Sequence, residues 1–263
     1  MPEENQTPEG IQMYSTLYAV QGSIARITLN RPEKRNALND ELITGIKSGL
    51  RAAAAEQSIR VVVISGAGKD FCSGADLSAL QKISESTITE NAADARSLME
   101  LFTLMRELPV PVIAAVQGRA LAGGCGLASA ADLVLAAESG RFGYPEVKIG
   151  FVPAMVMAIL KRNVSEKQAF ELLTSGNEIT ARRAYEIGLV NQVYVDEAFE
   201  TEVQAYAGVF EKMSKSAVAL SKALLYQIDG LAFREAIETG ADVNVIARLS
   251  KDCQQGISGF LKK

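Results

Sequence analysis

Three features of this sequence predict an α/β fold. Two short apolar runs, residues 61–65 and 112–117, have the composition of strands buried on both faces. Stretches of helical periodicity stand between the strand-like segments. The last quarter of the chain, from about residue 196, reads as helix throughout.

Taken in order, residues 14–20 and 23–30 are rich in β-branched and aromatic side chains, with Gln21-Gly22 between them, and read as a hairpin. Arg31-Pro32 ends that pair. A helix follows from about Asp40, with Asp40 and Glu41 in its first turn and Leu42, Ile43, Ile46 and Leu50 along one face. The strand over 61–65 stops at Gly66-Ala67-Gly68. Residues 78–91 are polar and weakly patterned, and read as a mobile loop leading to a helix that ends near Leu108. Pro109 and Pro111 precede the second buried strand. A glycine-rich turn, a helix of small residues over 127–131 and a strand over 132–136 come next. Helices are expected over 165–173 and 180–187, a strand over 190–195, then helices over 196–213, 215–228 and 231–249. Thr180 and Asp196 suit helix N-caps. The expected organisation is a disordered tail over 1–10, a core over 11–195 and a helical C-terminal region over 196–263.

Composition narrows the function. A chain of 263 residues with 48% hydrophobic residues can bury a large single core. Its net charge of −4 and lack of a basic block argue against nucleic acid as a partner. The sequence contains no apolar run of about 18 residues that would span a membrane. The acidic, polar first ten residues do not resemble a signal peptide, so a cytoplasmic protein is expected. Cys72, Cys125 and Cys253 are odd in number and widely spaced, which suits neither disulfides nor thiolate zinc sites. There is no histidine. That removes Ser-His-Asp triads, Cys-His pairs and His-ligated metals, and leaves carboxylates, Lys, Tyr or Cys as proton-transfer groups.

Two segments follow the buried strands: Phe71-Cys72-Ser73-Gly74-Ala75-Asp76-Leu77 and Ala120-Leu121-Ala122-Gly123-Gly124-Cys125-Gly126. Small residues at the carboxyl ends of strands let backbone N–H groups approach a ligand. Two such groups from separate loops would make an oxyanion hole. Each segment alone also suits close helix–strand packing. Gly66-Ala67-Gly68-Lys69 only imitates a P-loop, because Val63 stands where its first glycine belongs and Asp70 where its Ser/Thr belongs.

Together these segments resemble the enoyl-CoA hydratase/isomerase (crotonase) superfamily. The resemblance extends through Asn30-Arg31-Pro32, Arg35-Asn36-Ala37-Leu38, Pro145-Glu146 and Thr174-Ser175-Gly176, and on to Phe260. It implies a spiral of ββα units with a helical C-terminal trimerisation region, assembled as a homotrimer or a hexamer of two trimers. It implies an acyl-CoA substrate, with coenzyme A as part of that substrate and no separate cofactor or metal. By position, Ala75 and Gly123 match the oxyanion-hole donors and Glu146 a catalytic carboxylate. Arg35, Ala37, Leu38, Ser73, Asp76, Leu77, Phe260 and Lys263 match positions that receive substrate or coenzyme.

The hydratases carry a second carboxylate twenty positions before the first, and here that position is Gly126. One acid suffices to move a proton between two carbons, whereas hydration also needs a held water. The resemblance therefore implies a hydratase-like enzyme, with Δ3-Δ2-enoyl-CoA isomerisation or a non-catalytic acyl-CoA-binding paralogue as alternatives. Phe151 to Met157 replaces a glycine-rich turn, and Met155 and Met157 are expected to fill the space beside Gly126.

Overall fold

The structure, a computed structural model, describes residues 11–262, apart from the side chains of Leu77 and Leu80. The tail expected over 1–10, and Lys263, lie outside the described residues. Strands β1 (Ile11–Met13), β2 (Thr16–Gln21) and β3 (Ile24–Leu29) form an antiparallel ribbon. The expected hairpin turns at Gly22, whose φ of +60° suits glycine in a two-residue loop. Asn39 caps α1 (Asp40–Ala55) by accepting the Leu42 N–H. Then come β4 (Val61–Gly66), α2 (Leu77–Glu85) and α3 (Ile88–Glu107).

Residues 78–91 are thus mostly helix, not the mobile loop the sequence suggested. The reason is capping. Asp76 accepts the Ser78 N–H at the start of α2, and Thr87 and Glu90 form a reciprocal capping box at the start of α3. The apolar stripe of α3 is weak, so periodicity gave little sign of its start.

The chain continues through β5 (Val112–Val116), β6 (Arg119–Leu121), α4 (Gly123–Ala130), β7 (Leu133–Ala137) and β8 (Arg141–Gly143). Helix α4 begins four residues before the expected Leu127, because Gly123 and Gly124 are helical. A 3-10 turn over Pro145–Ile149 leads to α5 (Ala154–Asn163), α6 (Glu166–Ser175), β9 (Glu178–Thr180), α7 (Ala181–Glu186) and β10 (Gln192–Tyr194). The remainder is helical: α8 (Phe199–Gly208), α9 (Lys215–Gln227), α10 (Phe233–Leu249) and α11 (Lys251–Leu261).

Seven strands make one sheet in the order β1-β2-β3-β4-β5-β7-β10, parallel from β3 onward. Strands β6, β8 and β9 make a second sheet. The chain therefore alternates between sheets: β5 then β6, β7 then β8, each pair followed by a helix. That is the ββα repeat expected from the resemblance. The central strands are buried on both faces. Val62, Ile64 and Ala114 join the core under Leu42, Ile46 and Leu50, while Val61, Val63, Ile113 and Leu135 pack under Phe199, Val203 and Ala207 of α8.

Lys222 of α9 ties the helical region to this core. Its buried ammonium donates to Met105 O (2.8 Å), Val110 O (3.0 Å) and the Asp132 carboxylate (2.7 Å). Asp132 also accepts the Tyr226 hydroxyl and the Val112 N–H. By contrast, α10 and α11 bury none of their residues. We predict that Lys222→Met, which strands the Asp132 carboxylate, lowers unfolding free energy by about 3–5 kcal/mol in urea titrations. A loss below about 1 kcal/mol would mean the pair does not fasten α9.

Candidate active site

The site is built from segments that hold each other by backbone hydrogen bonds. Arg35 and Asn36 both adopt left-handed backbone conformations, with φ of 51° and 53°. This turn is braced from inside: the Asn36 side chain accepts from Arg31 N–H and donates to Ala67 O and Asp70 O. It runs alongside the 73–76 segment, with Ser73 N–H donating to Arg35 O, Leu38 N–H to Gly74 O and Asp76 N–H to Leu38 O. On its other side that segment pairs with β6, through Cys72 N–H to Arg119 O and Leu121 N–H to Cys72 O. Ala75 lies between these bonds. It is exposed, and its N–H has no acceptor among the described residues.

The second loop meets the first at Gly74. A Cβ placed there would stand 2.8 Å from Ala122 Cβ, and Gly74 has a φ of +100°. Ala122 is itself strained, at φ 51° and ψ −127°, and its N–H donates to Gly143 O. This bend leads directly into α4. Gly123 opens the helix, so its N–H has no intrahelical partner, and it finds no other acceptor among the described residues. Two neighbouring segments, touching at Gly74 and Ala122, thus each present one unengaged N–H in the next residue. Close behind, a Cβ on Gly124 would stand 2.7 Å from Cys72 Cβ and overlap the Cys72 carbonyl oxygen.

Glu146 sits in the 3-10 turn that follows β8, and β8 pairs with β6 through Leu121 and Gly143. The side chain is half-buried, and its Oε2 is fully enclosed without a hydrogen-bond partner. Burial pushes its carboxyl above the ordinary glutamate value. Two other ionisable groups lie close to it. The Cys125 thiol is pushed by burial up to about 11, and the Tyr144 hydroxyl, wholly buried and 3.1 Å from Ser129 Oγ, is also pushed up by burial. Neither ionises near neutral pH, so Glu146 is the group able to exchange a proton there.

Other expected site residues fall as follows. Arg35 is exposed and makes no ion pair among the described residues. Ala37 and Leu38 are buried beside the 73–76 segment, and Leu38 Cδ1 would lie 3.0 Å from a Cβ on Gly123. Ser73 is partly buried. Asp76 is occupied: it pairs with Arg31 at 2.6 Å and caps α2, and these contacts, Arg31 first, hold its carboxyl at about 2. Leu77 opens α2. Phe260 is 80% exposed on α11, which packs on α9 and α10. The sequence reading did not single out Asn36, although buried asparagine in a left-handed turn is a familiar brace.

At Gly126 the expectation needs correction. The space beside it is filled by Val156, not by Met155 or Met157. A Cβ on Gly126 would overlap Val156 Cγ1 and stand 3.4 Å from Phe102 Cζ. Met157 points outward, 42% exposed. The cause is α5, which the sequence reading left without a helix: its period turns Val156, Ile159 and Leu160 inward.

Comparison with known proteins shows the family. The sequence model of the family described as Enoyl-CoA hydratase/isomerase matches residues 19–263. A Thermus thermophilus protein provisionally named an enoyl-CoA hydratase is 40% identical over 242 residues, covering 92% of this chain and 96% of that protein. The 2,3-dehydroadipyl-CoA hydratase of Escherichia coli is 33% identical, covering 95% and 97%. Among solved structures, an enoyl-CoA hydratase of Mycobacterium smegmatis superposes with a TM-score of 0.90 at 29% identity, covering 94% of this chain and 96% of that one.

Proposed function

This chain belongs to the enoyl-CoA hydratase/isomerase (crotonase) family, and from that premise we propose that it forms a thioester enolate from an acyl-CoA, with Glu146 moving the proton. The observation that carries this reading is the enclosed, partnerless Oε2 of Glu146, in the turn that follows β8, taken together with the unengaged N–H groups of Ala75 and Gly123. A buried carboxylate oxygen with no donor is costly unless a ligand or a proton completes it. Ala75 and Gly123 would hold the thioester oxygen, and the charge that grows there during proton removal is met by fixed dipoles, Gly123 at the positive end of α4. Ala37 and Leu38 would wall the thioester end and Arg35 would meet the phosphates of coenzyme A. Asp76 would act indirectly, by fixing the loop that carries Ala75. The proton transfer balances with Glu146 alone and calls for no separate cofactor.

Hydration is the reaction named for the relatives above. Isomerisation is the second reading, favoured by one observation: the position of a second acid is Gly126, and Val156 fills the room beside it. A non-catalytic acyl-CoA binder is the reading least suited to an unpartnered Glu146.

We predict that Glu146→Gln lowers kcat/KM for enoyl-CoA substrates by about 10²–10⁴-fold while acyl-CoA still raises the melting temperature. As a base Glu146 must be ionised, and burial raises its pKa. Wild-type kcat/KM should therefore fall as pH drops through a value above that of an exposed glutamate, about 4.3. Residual activity of the Gln variant should lack that limb. A variant as active as the parent would remove Glu146 from this role.

The helical C-terminal region is proposed to cover neighbouring copies of the chain. Phe233, Leu249, Phe260 and Leu261 are each more than three-quarters exposed on α10 and α11, more apolar surface than a monomer usually leaves open. Light scattering should give three or six times the 28.1 kDa chain mass. A monomer at micromolar concentration would contradict the assignment.

A further inference from the structure

Helices α3, α4 and α5 come together at Phe102, Gly126 and Val156, and further along all three contribute to one cavity. Its volume is about 440 Å³, within the size range of small-molecule sites. Arg106 of α3, residues 129–131 of α4 and Arg162 and Asn163 of α5 line it, together with Tyr226 of α9 and Asp229 just beyond that helix. Asp132 also reaches the cavity, but its charge is matched within the fold, since it accepts the Lys222 ammonium, the Tyr226 hydroxyl and the Val112 N–H. That leaves the Asp229 carboxylate against two guanidinium groups, a surplus of one positive charge.

The two arginines are not equally engaged. Arg162 Nε donates to Asp229 Oδ2, and Arg162 Nη1 donates to Ala158 O of its own helix at 2.6 Å. Arg106 Nη1 lies 3.7 Å from the same Asp229 oxygen, beyond hydrogen-bond length, and no Arg106 N–H finds an acceptor among the described residues. An arginine that merely capped the end of α3 would donate to the last carbonyl groups of that helix, and Arg106 does not. The group is held in place all the same, its Cζ 4.3 Å from the centre of the Tyr226 ring. Stacking fixes the guanidinium plane and leaves its N–H edge open, the arrangement that receives a carboxylate through two parallel bonds.

We propose that this cavity is a second binding site, for a small carboxylate-bearing molecule received by Arg106 and Arg162. The surplus charge sets the sign of the ligand, and the planar, unengaged fork of Arg106 sets its class. The carboxylate has two sources. One is a free dicarboxylate from solution. The other is the far end of an acyl chain whose thioester is held at Ala75 and Gly123. Residues 129–131 stand six to eight positions past Gly123, about 9–12 Å along the helix, a distance that a chain of about eight carbons covers. Only this second source rests on the acyl-CoA reading given above.

Calorimetric titration of the full chain tests the site, with free glutarate in one arm and suberoyl-CoA against octanoyl-CoA in the other. The wild-type protein should bind glutarate saturably, one per chain, or bind suberoyl-CoA about tenfold or more tightly than octanoyl-CoA, the scale of a charge-assisted hydrogen bond. The first result assigns the site to a free carboxylate, the second to the end of an acyl chain. Arg106→Gln should weaken that carboxylate-dependent binding by about tenfold or more. Arg182→Gln, at an exposed arginine over Tyr185, should leave it unchanged. Asp229→Asn should strengthen it, because the competing carboxylate is gone while both arginines remain; a purely structural cluster gives no such gain. Asp229→Asn decides the case if Arg106→Gln does not fold. Neither kind of binding in the wild type, affinity unmoved in a folded Arg106→Gln, or no gain in Asp229→Asn overturns the proposal. If neither CoA thioester binds at all, the acyl-CoA reading fails, and the glutarate arm still decides the cavity.

Discussion

The site depends on the close approach of two backbone segments at Gly74 and Ala122. No side chain fits between them on the Gly74 side, and Ala122 keeps its methyl only by adopting a strained conformation. That contact is held from both flanks by parallel-type pairing of Leu38 with Ala75 and of Cys72 with Ala120. Three stretches far apart in sequence are thereby placed side by side at the carboxyl ends of β3, β4 and β5. Every bond in that arrangement uses an N–H other than those of Ala75 and Gly123. Their freedom follows from the register of the pairing.

The same packing explains the state of Glu146. Strand β6 carries the chain into α4, and its partner β8 carries it into the turn that holds Glu146. The carboxylate lies near the buried Cys125 thiol and Tyr144 hydroxyl. Burial there raises its affinity for a proton and leaves Oε2 without a donor. An isolated buried carboxylate is a poor element of stability and a useful one in proton transfer. The stabilising electrostatics lie elsewhere, in the buried Arg31–Asp76 and Lys222–Asp132 pairs, which fasten the loops and the helical region.

Much of this was legible in the sequence, for identifiable reasons. The buried strands at 61–65 and 112–117 were readable because a strand covered on both faces must be apolar throughout. The two glycine-containing segments were readable because only small residues permit such close backbones. Residues 78–91 were misread because the helices there start from the side-chain caps of Asp76 and Thr87. The short strands β6, β8 and β9 went unrecognised, since three residues are too few to set a period. Val156 was missed for a different reason: the sequence tells that Gly126 lacks a side chain, but which residue fills the gap depends on the rotation of α5.

The most direct test of the account is exchange of the α-protons of a saturated thioester, butyryl-CoA, with deuterium from D2O. It requires neither the native substrate nor a completed reaction, only enolate formation. The wild-type protein should incorporate deuterium at the α-carbon, followed by mass spectrometry, and Glu146→Gln should do so about 10²–10⁴-fold more slowly. Equal incorporation by the two proteins would contradict the assignment of proton transfer to Glu146.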